Sequence, residues 1–173
     1  MRVSIALAAL LLLPAGARAQ DRTIPPDRSV SPLPPVAGKG VQIYHCLEQQ
    51  GSPAWVFVAP EATLYAGAQA VGTHGAGPTW RWKDGSAVIG RVLVNQRAPD
   101  GASIPWLLLA ASPAIDSTPT GVLARVSYVR RSETHGGLPP AGCDARHLGA
   151  VARVPYTAVY TFYKAPDRPR ARQ

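Results

Sequence analysis

The sequence is short of acids, lysine and cysteine, and each shortage closes a class of function. Only 10 Asp and Glu residues stand against 18 Lys and Arg. Glu61, Asp84 and Glu133 are the acids a glycosidase-type carboxylate pair would draw on, but nothing in the sequence groups them. The two cysteines, Cys46 and Cys143, form no Cys-x-x-Cys redox motif. No serine stands in a Gly-x-Ser-x-Gly elbow. Ser86 and Ser103 follow Asp84-Gly85 and Asp100-Gly101 and read as turn residues. The glycines of Gly72-x-x-Gly75-x-Gly77 run in the reverse order of the dinucleotide fingerprint, which disfavours an NAD-dependent dehydrogenase. No two histidines have the i, i+2 or i, i+4 spacing of a local ligand pair; His45, His74 and His135 could converge only through the fold. No metal and no cofactor is therefore expected. Aromatic residues do not interleave with the arginine clusters, so nucleic acid is not an expected partner.

What is present points to one exported domain. At 173 residues the chain suits a single domain. With 46% hydrophobic and 16% charged residues, it is too apolar for a disordered chain. Eighteen prolines and 16 glycines oppose a helical bundle or coiled coil. Met1-Arg2, an apolar run over residues 3–13, Pro14 and the small-x-small site Ala17-Arg18-Ala19 read as a signal peptide cut after residue 19. That run is too short to span a bilayer, and so is the run over residues 104–111. The expected location is secreted or periplasmic. Two cysteines in an exported chain suggest one disulfide, Cys46–Cys143, with two free thiols as the alternative. Arginine outnumbers lysine 15 to 3. Codon usage in a GC-rich genome accounts for such a bias. The sharper alternative is an arginine-based anion site, and Arg130-Arg131 is the one basic pair before the tail.

Between a Pro-rich leader (residues 20–40) and a basic tail (165–173), residues 41–164 carry a β pattern. Residues 41–46 alternate weakly. Trp55-Val56-Phe57-Val58 is a continuous apolar run. Thr79-Trp80-Arg81-Trp82-Lys83 alternates clearly, and Asp84-Gly85 leads into a β-branched run, a strong hairpin signal. Residues 104–111 and 122–129 are further strands, and Val154, Tyr156, Ala158, Tyr160 and Phe162 share one face. Residues 62–71 are the one helix candidate. The fold class expected is all-β: an antiparallel sandwich, or a barrel, of about seven to eight strands with one disulfide. The leader is expected to lie outside the core as a semi-rigid tether.

Two Gly-rich loops are the candidate site: Thr73-His74-Gly75 and Thr134-His135-Gly136. If they meet at one end of the domain, His74, Gly75, His135 and Gly136, with Trp80 beside them, would bind a small or polymeric ligand. The blander reading makes both histidines turn residues and puts Trp80 and Trp82 in the core.

The landmarks Gln42-Ile43-Tyr44-x-Cys46, Trp55-x-Phe57-x-x-Pro60-Glu61-Ala62-x-Leu64, His74-x-x-Gly77-Pro78-Thr79-Trp80 and Asp84-Gly85-Ser86 run in order. Ile104-Pro105-Trp106-Leu107-Leu108-Leu109, Tyr128-Val129-Arg130-Arg131, Thr134-x-Gly136-Gly137-x-Pro139, Cys143 and Tyr156-Thr157-Ala158-x-Tyr160-x-Phe162-Tyr163 follow. The series resembles a family of exported bacterial and fungal domains of unknown function. The resemblance covers about residues 41–163, implies a single secreted domain and favours the Cys46–Cys143 pairing. Some fungal relatives carry a malate-dehydrogenase-like label, which the missing fingerprint and missing βαβ pattern oppose. The resulting expectation is an exported, non-enzymatic domain that binds a sugar, cell-wall fragment or anion at the histidine loops. Its alternatives are a hydrolytic or metal-assisted enzyme using His74 and His135, and a structural envelope component. The oligomeric state stays open.

Overall fold

The computed structural model describes residues 20–166. The expected signal peptide and the tail from residue 167 lie outside the described residues. The chain forms β1 (Ser31–Pro32), β2 (Val36–Gln49), β3 (Ser52–Ala66), β4 (Gln69–Gly75) and β5 (Thr79–Trp82). It continues through β6 (Ala87–Gln96), β7 (Trp106–Pro113), β8 (Val126–Gly136) and β9 (Val151–Lys164), with no helix among the described residues. Each strand from β2 to β9 pairs antiparallel with the next, and β9 returns to β2, closing an eight-stranded up-and-down barrel; β1 adds to β9. Of the sandwich and barrel alternatives, the barrel holds. Closure removes sheet edges, and eight strands leave an interior that side chains fill or that holds one small ligand.

Residues 62–71 are not helical. They form the end of β3, a turn at Gly67 with φ +58°, and the start of β4. The alternation Ala62, Leu64 on the inner face is the period that wins. Nor is the leader a detached tether. β2 begins at Val36, β1 pairs with β9, and Thr23 is fully buried. Asp21 anchors this stretch on Arg130, 2.6 Å away.

The core gathers Val36, Leu64, Trp80, Val88, Leu123, Val129, Tyr160 and Phe162. Large side chains fit because glycines face them. A Cβ on Gly38 would come within 2.5 Å of the Tyr160 ring, and one on Gly90 within 2.8 Å of Trp80. At this closed end the Asp84-Gly85-Ser86 turn also pins the β7–β8 loop: Asp84 accepts from Val122 N (2.7 Å), and Leu123 N donates to Ser86 Oγ (3.0 Å).

The other end is braced by the disulfide Cys46–Cys143, which ties the long β8–β9 loop to β2. Main-chain bonds reinforce it: Cys46 N to Ala150 O and Gly149 N to Cys46 O, each 2.9 Å. The bridge spans 97 positions, so the chain-entropy model gives it about 4–5 kcal/mol. Reduction, or Cys143→Ala, is expected to lower stability by about 4 kcal/mol in urea unfolding. A loss below about 1 kcal/mol would mean that the strand ladder alone holds this end.

Candidate functional site

Period two sends alternate residues of each strand into the lumen. From β2 come Gln42 and Tyr44, from β4 His74, from β5 Trp80, from β7 Leu107 and Leu109, from β8 Arg131 and from β9 Tyr160. Together they line a cavity of about 510 Å³, within the range of small-molecule sites. Apolar side chains make most of its wall, and Gln42, His74 and Arg131 are its buried polar members.

The opening lies in the side of the barrel. β4 pairs with β3 only at residues 62–66, and β5 pairs with β6 only at residues 87–89. Above that short hairpin, β3 and β6 face each other across a notch with no strand between them among the described residues. Both edges carry a bulge, at Val58 and at Leu93. β3 also carries Pro53 and Pro60, which donate no hydrogen bond. Such features blunt an edge against pairing with another strand, so the notch stays open. Phe57, Val58 and Val92, each about half exposed, rim it. On the opposite side Tyr44 Oη donates to Gly137 O (2.6 Å), and Thr134 Oγ1 to Ile104 O (2.6 Å), packing the connecting loops over the barrel end.

His74 is 4% exposed and stacks on Trp80, ring centroids 4.4 Å apart at 7°. Tyr160 meets both rings edge-on, at 5.1 and 5.8 Å. The His74 Nδ1–H donates to Thr79 O at 3.0 Å, which leaves Nε2 as an acceptor. Burial pushes the His74 pKa down to about 4; the Thr79 carbonyl opposes this and the Arg131 charge adds to it. The ring is therefore neutral near pH 7. Burial likewise drives the Tyr160 hydroxyl well up, with Tyr156 adding to the rise and Arg131 opposing it. The two hydroxyls are 3.1 Å apart.

The adjacent arginines have opposite fates. Arg130 points outward and is fully engaged: it donates to Thr23 Oγ1, Ser132 Oγ and Asp21 Oδ2 at 2.9, 3.0 and 2.6 Å, and lies 5.4 Å over the Trp106 ring. Arg131 points inward and is 8% exposed. Its Nε and Nη2 both donate to one carbonyl, Pro105 O, at 3.0 and 2.9 Å. Among the described residues no carboxylate pairs with it. Gln42 Nε2 and Trp80 Nε1, in the same cavity wall, are buried without a hydrogen-bond partner. A buried donor left unpaired costs about 1–3 kcal/mol, and an unpaired charge more.

The structure does not bring the two histidine loops together. Both strands end at the same end of the barrel, but His135 is exposed on the outer wall. Along the register from β8 through β9, β2 and β3 to β4, it stands four strand steps of ~4.8 Å from His74. Gly136 is structural: its N donates to Ser103 Oγ, and its O accepts from Ile104 N, both 3.0 Å. Gly75 does not line the cavity; it lines a second groove, bordered by His74 as well, with Arg153 and Glu61, which pair at 2.8 Å. Of the expected site residues, His74 and Trp80 line the cavity. Gln42 and Tyr160 were missed, although the alternation Gln42, Tyr44, Cys46 placed a polar residue in phase with buried ones.

These features define an all-β barrel domain with a laterally open, mostly apolar cavity. The family model for proteins of unknown function DUF3455 matches residues 65–164, and the chain belongs to that family. No curated protein and no solved structure matches it.

His74 makes the site acid-sensitive. Its folded pKa lies below the ordinary 6.5, so the unfolded chain binds the proton first and stability falls as pH drops from 6.5 towards 4. We expect a loss of about 3 kcal/mol across that window by denaturant unfolding, absent in His74→Phe, which keeps the stack on Trp80. An unchanged slope in the variant would assign the loss elsewhere.

Proposed function

We propose that this protein is an exported, non-enzymatic binding domain that holds one small, largely apolar molecule in its barrel, admitted through the notch between β3 and β6. The observation that carries the reading is the 510 Å³ cavity, walled by Phe57, Pro60, Trp80, Ile104 and Leu109. An apolar-walled hollow of this size in a domain this small gives up packing that filling side chains would supply. The exposed apolar rim offers a molecule leaving water an apolar path inward. Export is supported by the disulfide, which suits an oxidising compartment, and by the N-terminal apolar run. A buried lumen favours a small ligand over the polymeric one also considered from the sequence. His74 and Trp80 stay in the proposed site; Gly75, His135 and Gly136 do not.

Fluorescence titration with the neutral probe N-phenyl-1-naphthylamine tests this reading. Saturable one-to-one binding at micromolar concentration is expected, with tryptophan emission quenched and the melting temperature raised. Leu107→Trp, which fills the cavity from its half-buried wall, should weaken the probe at least tenfold. No saturable binding to the folded wild type, or equal binding by the filled variant, would remove the cavity as the site.

A further inference from the structure

We infer that the cavity selects an amphipathic monocarboxylate, whose acid group pairs with Arg131 at the inner end while its apolar body lies towards the notch. This rests on the binding reading above and adds the chemistry of the ligand's head.

Two observations on different strands carry it. Arg131 on β8 is more than nine-tenths buried, lines the cavity and has no carboxylate partner among the described residues. Its two bonds to Pro105 O hold one edge of the guanidinium, and the Tyr160 hydroxyl takes one more donor. A guanidinium has five N–H groups in a planar fork, so donors remain for an acceptor pair. Gln42 on β2, 2% exposed, independently presents a buried amide N–H₂ in the wall of the same cavity, with the Tyr156 hydroxyl as its one neighbouring acceptor and a second N–H to spare. Charged and neutral donors thus collect where the wall has no anionic acceptor. The missing element is an anion that accepts several hydrogen bonds.

The charge must be single. His74, the one other basic side chain lining the cavity, is held neutral by its burial, with the Arg131 charge adding to the effect and the bond to Thr79 O opposing it. One guanidinium balances one carboxylate, whereas a phosphate near its dianionic form would leave charge buried and uncompensated. An ammonium head would face Arg131 directly and be repelled. The planar carboxylate also matches the guanidinium fork.

The test is displacement of the neutral probe from the full-length protein at pH 7.5 by one ten-carbon series: decanoate, methyl decanoate, decanol, decylamine and decyl phosphate. Decanoate is expected to bind at least tenfold tighter than the ester, the alcohol and the phosphate, with decylamine weakest. In Arg131→Met the decanoate preference over decanol should disappear while the neutral probe still binds. Gln42→Leu should reduce the preference severalfold. If Arg131→Met fails to fold, the wild-type series with Arg131→Lys, which keeps the charge but loses the fork, decides the matter. Equal affinity of acid, ester and alcohol for the wild type overturns the proposal and leaves the cavity reading intact. Tightest binding by decyl phosphate also overturns it, in favour of a phosphate head. Failure of the neutral probe itself counts against the cavity reading first.

Discussion

A guanidinium inside an apolar barrel is a standing electrostatic demand. Removing an ion from water costs several kcal/mol even after the protein relaxes, and this is ordinarily offset by a counterion. At Arg131 the described protein supplies neutral oxygens alone, the Pro105 carbonyl and the Tyr160 hydroxyl beside it. Much of the surrounding structure can be read as a response to that charge. Tyr160 is its cross-strand neighbour on β9, with its hydroxyl beside the guanidinium, and the Arg131 charge helps to keep His74 neutral. The β6–β7 loop that carries Pro105 is itself secured, with Ile104 N on Gly136 O and Thr134 Oγ1 on Ile104 O. The outer neighbour Arg130 shows the alternative: an arginine of the same strand, one residue earlier, is neutralised by Asp21.

The second constraint is the unequal length of the strands. β2, β3 and β9 run 14 or 15 residues, β4 and β5 only 7 and 4. The ring is thus complete at the Phe162 end and open on one flank near the other. Small residues under large ones, Gly38 beneath Tyr160 and Gly90 beneath Trp80, let aromatic rings plug the closed half without splaying the wall. Where those rings stop, the cavity starts. The same Trp80 that belongs to the core also forms cavity wall, so the two readings weighed for its strand are not exclusive.

The sequence made the fold class legible because period-two burial survives in most strands. Tyr156, Ala158, Tyr160 and Phe162 are all buried as their spacing required. The hairpin at Asp84-Gly85 lies where its turn chemistry placed it. The site was less legible, for a local reason. Thr73-His74-Gly75 and Thr134-His135-Gly136 look alike, yet His74 turns inward and His135 outward. A bulge at Glu133, φ +48°, inserts one residue before the second motif and reverses its phase. No composition rule announces a bulge at Glu133. The leader was misjudged because proline was counted as exclusion from the sheet. Prolines tolerate an edge such as β1, and Asp21 and Thr23 supply anchoring that the prolines cannot.

The arginine pair shows how far alternation alone could have reached. With Val129 fully buried, strand geometry turns Arg131 inward and Arg130 outward. A charged residue at an inward position is either paired or waiting for a partner. Pairing could not be judged from sequence, because the nearest acid in the chain, Glu133, falls in the bulge and is exposed. Asp21, the acid that meets the pair, reaches Arg130 and not Arg131. The described protein therefore spends an available carboxylate on the arginine that water could have solvated and leaves the buried one to a carbonyl and a hydroxyl. As a device for stability alone this arrangement is poor. On the proposed reading it becomes intelligible: the missing negative charge would arrive with a ligand, and a counterion built into the wall would occupy the position that an acid group needs.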